Sequence, residues 1–195
     1  MNDGKELLKA FFTNTGFVSS NKTDEIITVF AERVILKNDY YLKYGFPSDE
    51  YLFLESGFMR AFTFDTEGND VTTAFYASGN VVFEVSSFFN RTISRENIQA
   101  LTDCRGWSIT FEQLNSLFHN IPEFREFGRG ILVKNLTTLK QRMLSMINDT
   151  AETRYDALVK GNPEIFQHAA LKHIASYLGI TDSSLSRIRA AYQKK

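Results

Sequence analysis

Few residues in this 195-residue chain have the type and spacing that chemistry needs. Cys104 is the single cysteine, so it closes no internal disulfide, and with only three histidines beside it a structural zinc site is not assembled. A jelly-roll metalloenzyme needs two or three histidines on adjacent strands. His119, His168 and His173 fall instead in stretches of helical texture. No Gly-x-Ser-x-Gly, glycine-rich phosphate loop or His-Glu-x-x-His occurs. Carboxylate pairs such as Asp24-Glu25 and Asp49-Glu50 read as solvated caps. The expectation is a protein that is not an enzyme and holds no metal.

The remaining candidates gather at the C-terminal end. Residues 171–195 hold five basic residues, Lys172, Arg187, Arg189, Lys194 and Lys195, against Asp182 alone. The whole chain has 22 Lys and Arg and 23 Asp and Glu, so 17 basic and 22 acidic residues precede that segment. A basic end on an acidic body points to an anionic partner. Within the segment, Leu171 to Ala190 has a braced pattern. Ile174, Leu178, Ile180, Leu185 and Ile188 are apolar, Ala175 is small where two helices would cross, and Gly179 suits a turn with positive φ. Thr181 can cap the following helix, with Ser184 three residues on. This is the internal bracing of a helix-turn-helix.

With such a unit seated in a major groove, Ser183, Ser184 and Arg187 share the exposed face of the second helix, Asp182 to Tyr192. Arg187 is the expected base contact, because a guanidinium bridges O6 and N7 of guanine. Lys172, Thr181 and Arg189 are expected at phosphates, which position the helix without reading sequence. The plainer reading of Arg189, Lys194 and Lys195 is a solvated end, and helix-turn-helix units also dock proteins.

Other elements must position that unit. The apolar fraction is 43%, with 18 Phe and only 3 Pro, enough to build a core. The first thirty residues read as helical. From Arg33 onward, short runs of Val, Ile, Tyr and Phe alternate with turn signals every 8–12 residues, as in an antiparallel sandwich of roughly eight strands. The clearest hairpin is Phe58 to Tyr76, turning at Asp65–Asp70 with Gly68 in the left-handed region. Two further strands are expected near Asn97–Leu101 and Gly106–Ile109. A short helix then begins at Phe111, and Pro122 suits the first turn of a long one. Phe124, Phe127, Ile131, Leu136, Leu139, Met143 and Met146 keep one face of that helix apolar. A seam between two copies of the chain is the favoured way to bury it, the alternative being packing within the chain. The N-terminus has no apolar core of signal-peptide length and no stretch reaches 18 apolar residues, so a cytoplasmic protein without membrane contact is expected.

A sandwich, a seam helix and a terminal helix-turn-helix, in that order, resemble the CRP/FNR family of transcription regulators. The resemblance covers nearly the whole chain. Its most specific residues are Ile174 to Arg189 and the start of the long helix, Ile121-Pro122-Glu123-Phe124. Ala175-Ser176-Tyr177-Leu178-Gly179-Ile180 followed by Ser184-Leu185-Ser186-Arg187-Ile188-Arg189 is similar to the subgroup common in Bacteroidetes. It implies an α+β fold in three parts: a cyclic-nucleotide-binding-like antiparallel β jelly roll over 1–120, a dimerisation helix over 121–148, and an all-α helix-turn-helix domain over 149–195. The implied partners are a second copy, a palindromic double-stranded operator and RNA polymerase. The sequence ends six residues after Arg189, before the two-stranded wing of longer members, which implies fewer phosphate contacts.

In cyclic-nucleotide members of the family, a Gly-Glu-Leu stretch is followed about ten residues later by an Arg-Ser pair that holds the phosphate. Here the matching stretch runs from Val82 to Phe89. It keeps Glu84 but puts Phe83 in place of the glycine. Ser94 and Arg95 stand where Arg-Ser is expected, displacing the arginine by one, which on a strand reverses its face. Glu96 follows directly and could neutralise Arg95. The gapless match to the family's Thr-Ser pair on the long helix is Leu139-Lys140. An iron–sulfur cluster needs more cysteines than Cys104, and a haem needs a ligand placed before His119. The effector pocket is expected around Phe62, Phe75, Phe83, Glu84, Ser94 and Arg95, for a small molecule other than a cyclic nucleotide, or filled by its own Phe62, Phe75 and Phe83.

Overall fold

The computed structural model describes residues 5–192. Two helices open the chain, α1 (Glu6–Thr13) and α2 (Ser20–Thr28). Leu8, Phe12, Ile26 and Ile27 on their inner faces are buried. Lys5 ends α2 by donating through Nζ to Ile27 O and Phe30 O, both at 2.7 Å.

Eight antiparallel strands follow, in two sheets of four. The first has the order β1 (Ala31–Ile35), β8 (Cys104–Thr110), β3 (Glu50–Ser56), β6 (Val81–Val82). The second runs β2 (Tyr40–Leu42), β7 (Asn97–Ala100), β4 (Met59–Phe64), β5 (Asp70–Tyr76). Leu42, Leu52, Leu54, Met59, Ala61, Ile98 and Ala100 fill the space between the sheets. The β4–β5 hairpin turns where the sequence predicts, with Gly68 at φ +85°. Asp65 Oδ1 organises that turn by accepting from the amides of Glu67 and Asn69, each at 2.9 Å. Ala61 pairs with Ala74 and Phe62 with Thr72, so Thr73 is the extra residue of a β-bulge. Because β5 is the sheet's edge strand, its outer backbone groups need partners from elsewhere.

Between β6 and β7 the chain forms α3 (Val85–Asn90). A capping box between Thr110 and Gln113 starts α4 (Phe111–Asn120). Pro122 then opens the 27-residue α5 (Pro122–Asn148). The first turns of α5 lie on α1 and α4, which puts Phe124 and Phe127 in one core with Phe12, Phe30, Phe53 and Trp107. Both are 2% exposed, so they pack within the chain rather than at the expected seam, and Ile131 is half-buried against the same core. Helical periodicity does not distinguish the two cases, since core and seam both ask for one apolar face.

Beyond Ile131 that face is largely uncovered by the described residues. Leu132, Leu136, Leu139, Met143 and Met146 follow at spacings of four, three, four and three, each at least 42% exposed. The chain closes with α6 (Ala151–Gly161), α7 (Ile165–His168), α8 (Leu171–Leu178) and α9 (Asp182–Tyr192). Their shared core is Tyr155, Leu158, Ile165, Ile174, Ala175, Leu178, Leu185 and Ile188, joined by Phe58 from the sandwich.

Candidate nucleic-acid interface and sensor segment

The geometry of α8 and α9 follows from the residues between them. Gly179 has φ +66°. Its amide donates to Ser176 O at 3.1 Å and that of Ile180 to Ala175 O at 3.0 Å, the paired bonds of a Schellman turn. A Cβ on Gly179 would meet the Met146 methyl at 2.5 Å, so glycine also lets α5 approach the turn. Thr181 caps α9, its Oγ1 accepting from the Ser184 amide at 3.3 Å. Leu185 and Ile188 point into the core, and Ala175 beneath them is 1% exposed.

Of the residues expected to meet nucleic acid, Ser183 and Arg187 are exposed on α9, Lys172 is exposed on α8, and Ser184 and Arg189 are half-buried. Arg187 Nη2 donates to Ser184 Oγ at 3.2 Å and makes no ion pair among the described residues. Its remaining N–H groups are available to an acceptor outside the chain. The Thr181 hydroxyl is engaged with Ser183 and Ser184, both at 3.0 Å. Lys194 and Lys195 lie outside the described residues.

Two arginines absent from the sequence reading hold this unit in place. Arg154 donates from Nε and Nη2 to Leu178 O, at 3.2 and 3.0 Å. Arg142 on α5 donates from Nη2 to Tyr177 O at 3.2 Å and from Nη1 to Thr73 O, the bulge carbonyl, at 2.6 Å. Its guanidinium also lies 4.1 Å from the centre of the Tyr177 ring. Cations at the carbonyl end of α8 complement the helix dipole. Contacts of arginine with distant backbone carbonyls leave no pattern in sequence. Together these side chains line a cavity of about 190 Å³ between α5, α6 and α8.

In the sensor segment the six expected pocket residues do not come together. Phe83 is buried against Tyr51, Phe88 and Phe89, with ring centres 5.1 to 5.9 Å away. Phe75 stacks between Phe58 and Tyr177 at the helical domain, while Phe62 lies beneath the Arg60 guanidinium at 4.1 Å. Glu84 lies just outside β6. It is the N-cap of α3, accepting from the amides of Ser86 at 3.0 Å and Ser87 at 2.7 Å.

Ser94 is buried and bonds the Glu96 backbone in both directions. Arg95 is exposed, lies outside any strand, and makes no ion pair among the described residues. Glu96 does not neutralise it. Burial pushes the Glu96 carboxyl up, Thr73 and Arg142 favour its charged form, and Glu84 opposes it. Among the histidines, His119 closes α4, His168 rests against Phe58 and His173 sits on α8, so none lies on a strand. Burial also raises the Cys104 thiol above its ordinary value. Among the described residues no helix is long and apolar enough to cross a membrane.

Comparisons with known proteins agree with this architecture. Residues 32–120 match the cyclic nucleotide-binding domain family. The chain is 21% identical to electron transport regulator A of Shewanella oneidensis over 190 residues, covering 91% of this chain and 75% of that protein. It is 22% identical to the transcriptional activator protein Anr of Pseudomonas aeruginosa, covering 88% and 73%. The structure of the c-di-GMP-responsive global regulator CLP of Xanthomonas campestris superposes with a TM-score of 0.70 at 16% identity, over 90% of this chain and 92% of that one. Residues 32–120 thus form a cyclic nucleotide-binding domain, and the chain is similar over nearly its whole length to regulators that share its fold.

Proposed function

We propose that this protein is a homodimeric, sequence-specific DNA-binding transcription regulator whose sandwich senses something other than a cyclic nucleotide. The division is a sensor over 1–120, a dimerisation helix over 121–148 and a DNA-binding domain over 149–195. The observation that carries the reading is the exposed Arg187 on a capped and braced α9, with no carboxylate to neutralise it among the described residues. Its guanidinium reads guanine, with Ser183 and Ser184 beside it, while Lys172, Arg189 and the α9 N-terminus meet phosphates.

Dimerisation is supported by the 4-3-4-3 apolar stripe from Leu132 to Met146, the spacing of a two-stranded coiled coil. Leu136 and Leu139, from the sequence reading, are its most exposed leucines at 67% and 62%. The sensor reading is supported by α3. A phosphate would need that helix's first amides, and the Glu84 carboxylate already accepts from them. Arg95 is exposed and makes no ion pair among the described residues. Relatives named a transcriptional activator and a global regulator support a role at promoters, with RNA polymerase as a further partner.

The test is retention of duplex DNA across a salt series, together with the mass of the free protein by sedimentation. The expected result is two chains per particle and an affinity that falls steeply with salt, with a log–log slope of about −0.9 per phosphate contacted. A monomer without retention at low salt would overturn the proposal.

A further inference from the structure

The cavity between α5, α6 and α8 has a wall chemistry that the DNA-binding reading does not use. Arg142 on α5 and Arg154 on α6 both line it, Ser145 and Asn162 add a hydroxyl and an amide, and no carboxylate lines it among the described residues. Neither arginine makes an ion pair among those residues. Their hydrogen bonds all go to backbone carbonyls, Arg142 to Thr73 and Tyr177, Arg154 to Asp149 and Leu178, at 2.6 to 3.2 Å. A guanidinium carries five N–H donors, so these bonds leave donors on both side chains without a partner among the described residues.

Charge at this place is likewise unbalanced. The carboxyl end of α8 contributes about half a negative charge against two full positive ones. The half-buried Glu96 carboxylate is favoured in its charged form by Arg142 but does not pair with it. Both guanidiniums are also fixed in place. That of Arg142 lies 4.1 Å from the centre of the Tyr177 ring, and Arg154 grips Leu178 O through two of its nitrogens. An anion entering the cavity therefore orders no long side chain, which removes a usual cost of binding.

Size and place narrow the guest. The cavity holds about 190 Å³, below the roughly 300–1,000 Å³ of sites for drug-sized ligands, which suits a compact anion rather than a nucleotide. Lys172, expected at a duplex phosphate, is in the first turn of α8, whereas the two arginines bind the carbonyls of its last two residues, Tyr177 and Leu178.

We propose that this cavity is a binding site for a small organic anion, one carboxylate or phosphate group held between Arg142 and Arg154 with Ser145 and Asn162 beside it. Guanidinium groups suit such oxyanions because their N–H forks match two oxygens at once. The site is separate from the sensor segment of the sandwich and does not rest on the function proposed above.

Thermal unfolding and calorimetric titration of the full chain test the proposal, with inorganic phosphate and succinate as probes against chloride at equal ionic strength. Saturable binding of a probe is expected, with a rise in melting temperature that tracks occupancy. The tighter probe assigns the group as phosphate or carboxylate. Arg154→Gln should weaken that probe about tenfold or more, the effect of one lost hydrogen bond to a charged group. Because Arg154 also holds α8, Ala157→Glu provides a second variant. Ala157 is exposed on the α6 wall of the cavity, and a glutamate three residues after Arg154 offers the guanidinium a carboxylate from its own helix. That variant should keep its fold by circular dichroism and lose probe binding. No saturable effect beyond chloride, or probe binding undiminished in Ala157→Glu, would overturn the site. So would a duplex salt slope shallower by about 0.9 in Arg154→Gln with no response to either probe, since the cavity then faces a DNA phosphate.

Discussion

Helices α9 and α3 both offer a helix start to an anion, and their caps differ in charge. At α9 the cap is the neutral Thr181, and Arg187 one turn further on stands exposed without a carboxylate partner among the described residues. At α3 the cap is Glu84, so the helix start already carries a negative charge of its own chain. On the function proposed above, α9 meets phosphate beside Asp182 with the help of Arg187, whereas at α3 the Glu84 carboxylate takes the first amides itself.

Several substitutions would break or sharpen this contrast. The largest effect is expected at the seam, on which the α9 side depends. Leu136→Lys with Leu139→Lys should give single chains by sedimentation and weaken binding to an inverted repeat by about a hundredfold or more, because two linked half-sites become one. Retained dimers would move the seam elsewhere. Next, Arg187→Ala should cost about 1–3 kcal/mol on a preferred site and relax the choice of one base per half-site, read from competition between sites. An equal loss on all sequences would make Arg187 a phosphate contact instead.

On the α3 side, Glu84→Ala should lower stability to urea by about 0.5–2 kcal/mol, the ordinary cost of a lost cap, with duplex affinity unchanged. The smallest effect is expected from cyclic AMP. Bound at a hundred times its Kd it would stabilise the protein by about 2.7 kcal/mol, and no such gain in melting temperature is expected. A clear rise would show that α3 accepts phosphate after all.

How far the sequence reveals these features depends on how local their causes are. Gly179, Thr181 and the Leu185–Ile188 pair act within one turn of each other, so the helix-turn-helix is legible to the residue. The β4–β5 hairpin and the start of α5 at Pro122 are local in the same way. Phe83 and Phe75 are not. Both are aromatic residues in the right neighbourhood, but tertiary packing sends one to the core under α3 and the other to the helical domain. Phe124 and Phe127 share a helical face with Leu136 and Leu139, and only the arrival of α1 and α4 separates core from seam. Arg142 and Arg154 bind carbonyls 69 and 24 residues away, contacts without periodicity or motif. Glu84 is a missed local signal, since the amides it caps lie two and three residues ahead.

Selection from a randomised duplex library with the purified protein tests the central claim most directly. The account predicts enrichment of an inverted repeat with half-site centres about 10 base pairs apart, the separation that two α9 helices on one face of the duplex require. Retention without sequence enrichment, or enrichment of a single unrepeated site, would contradict it.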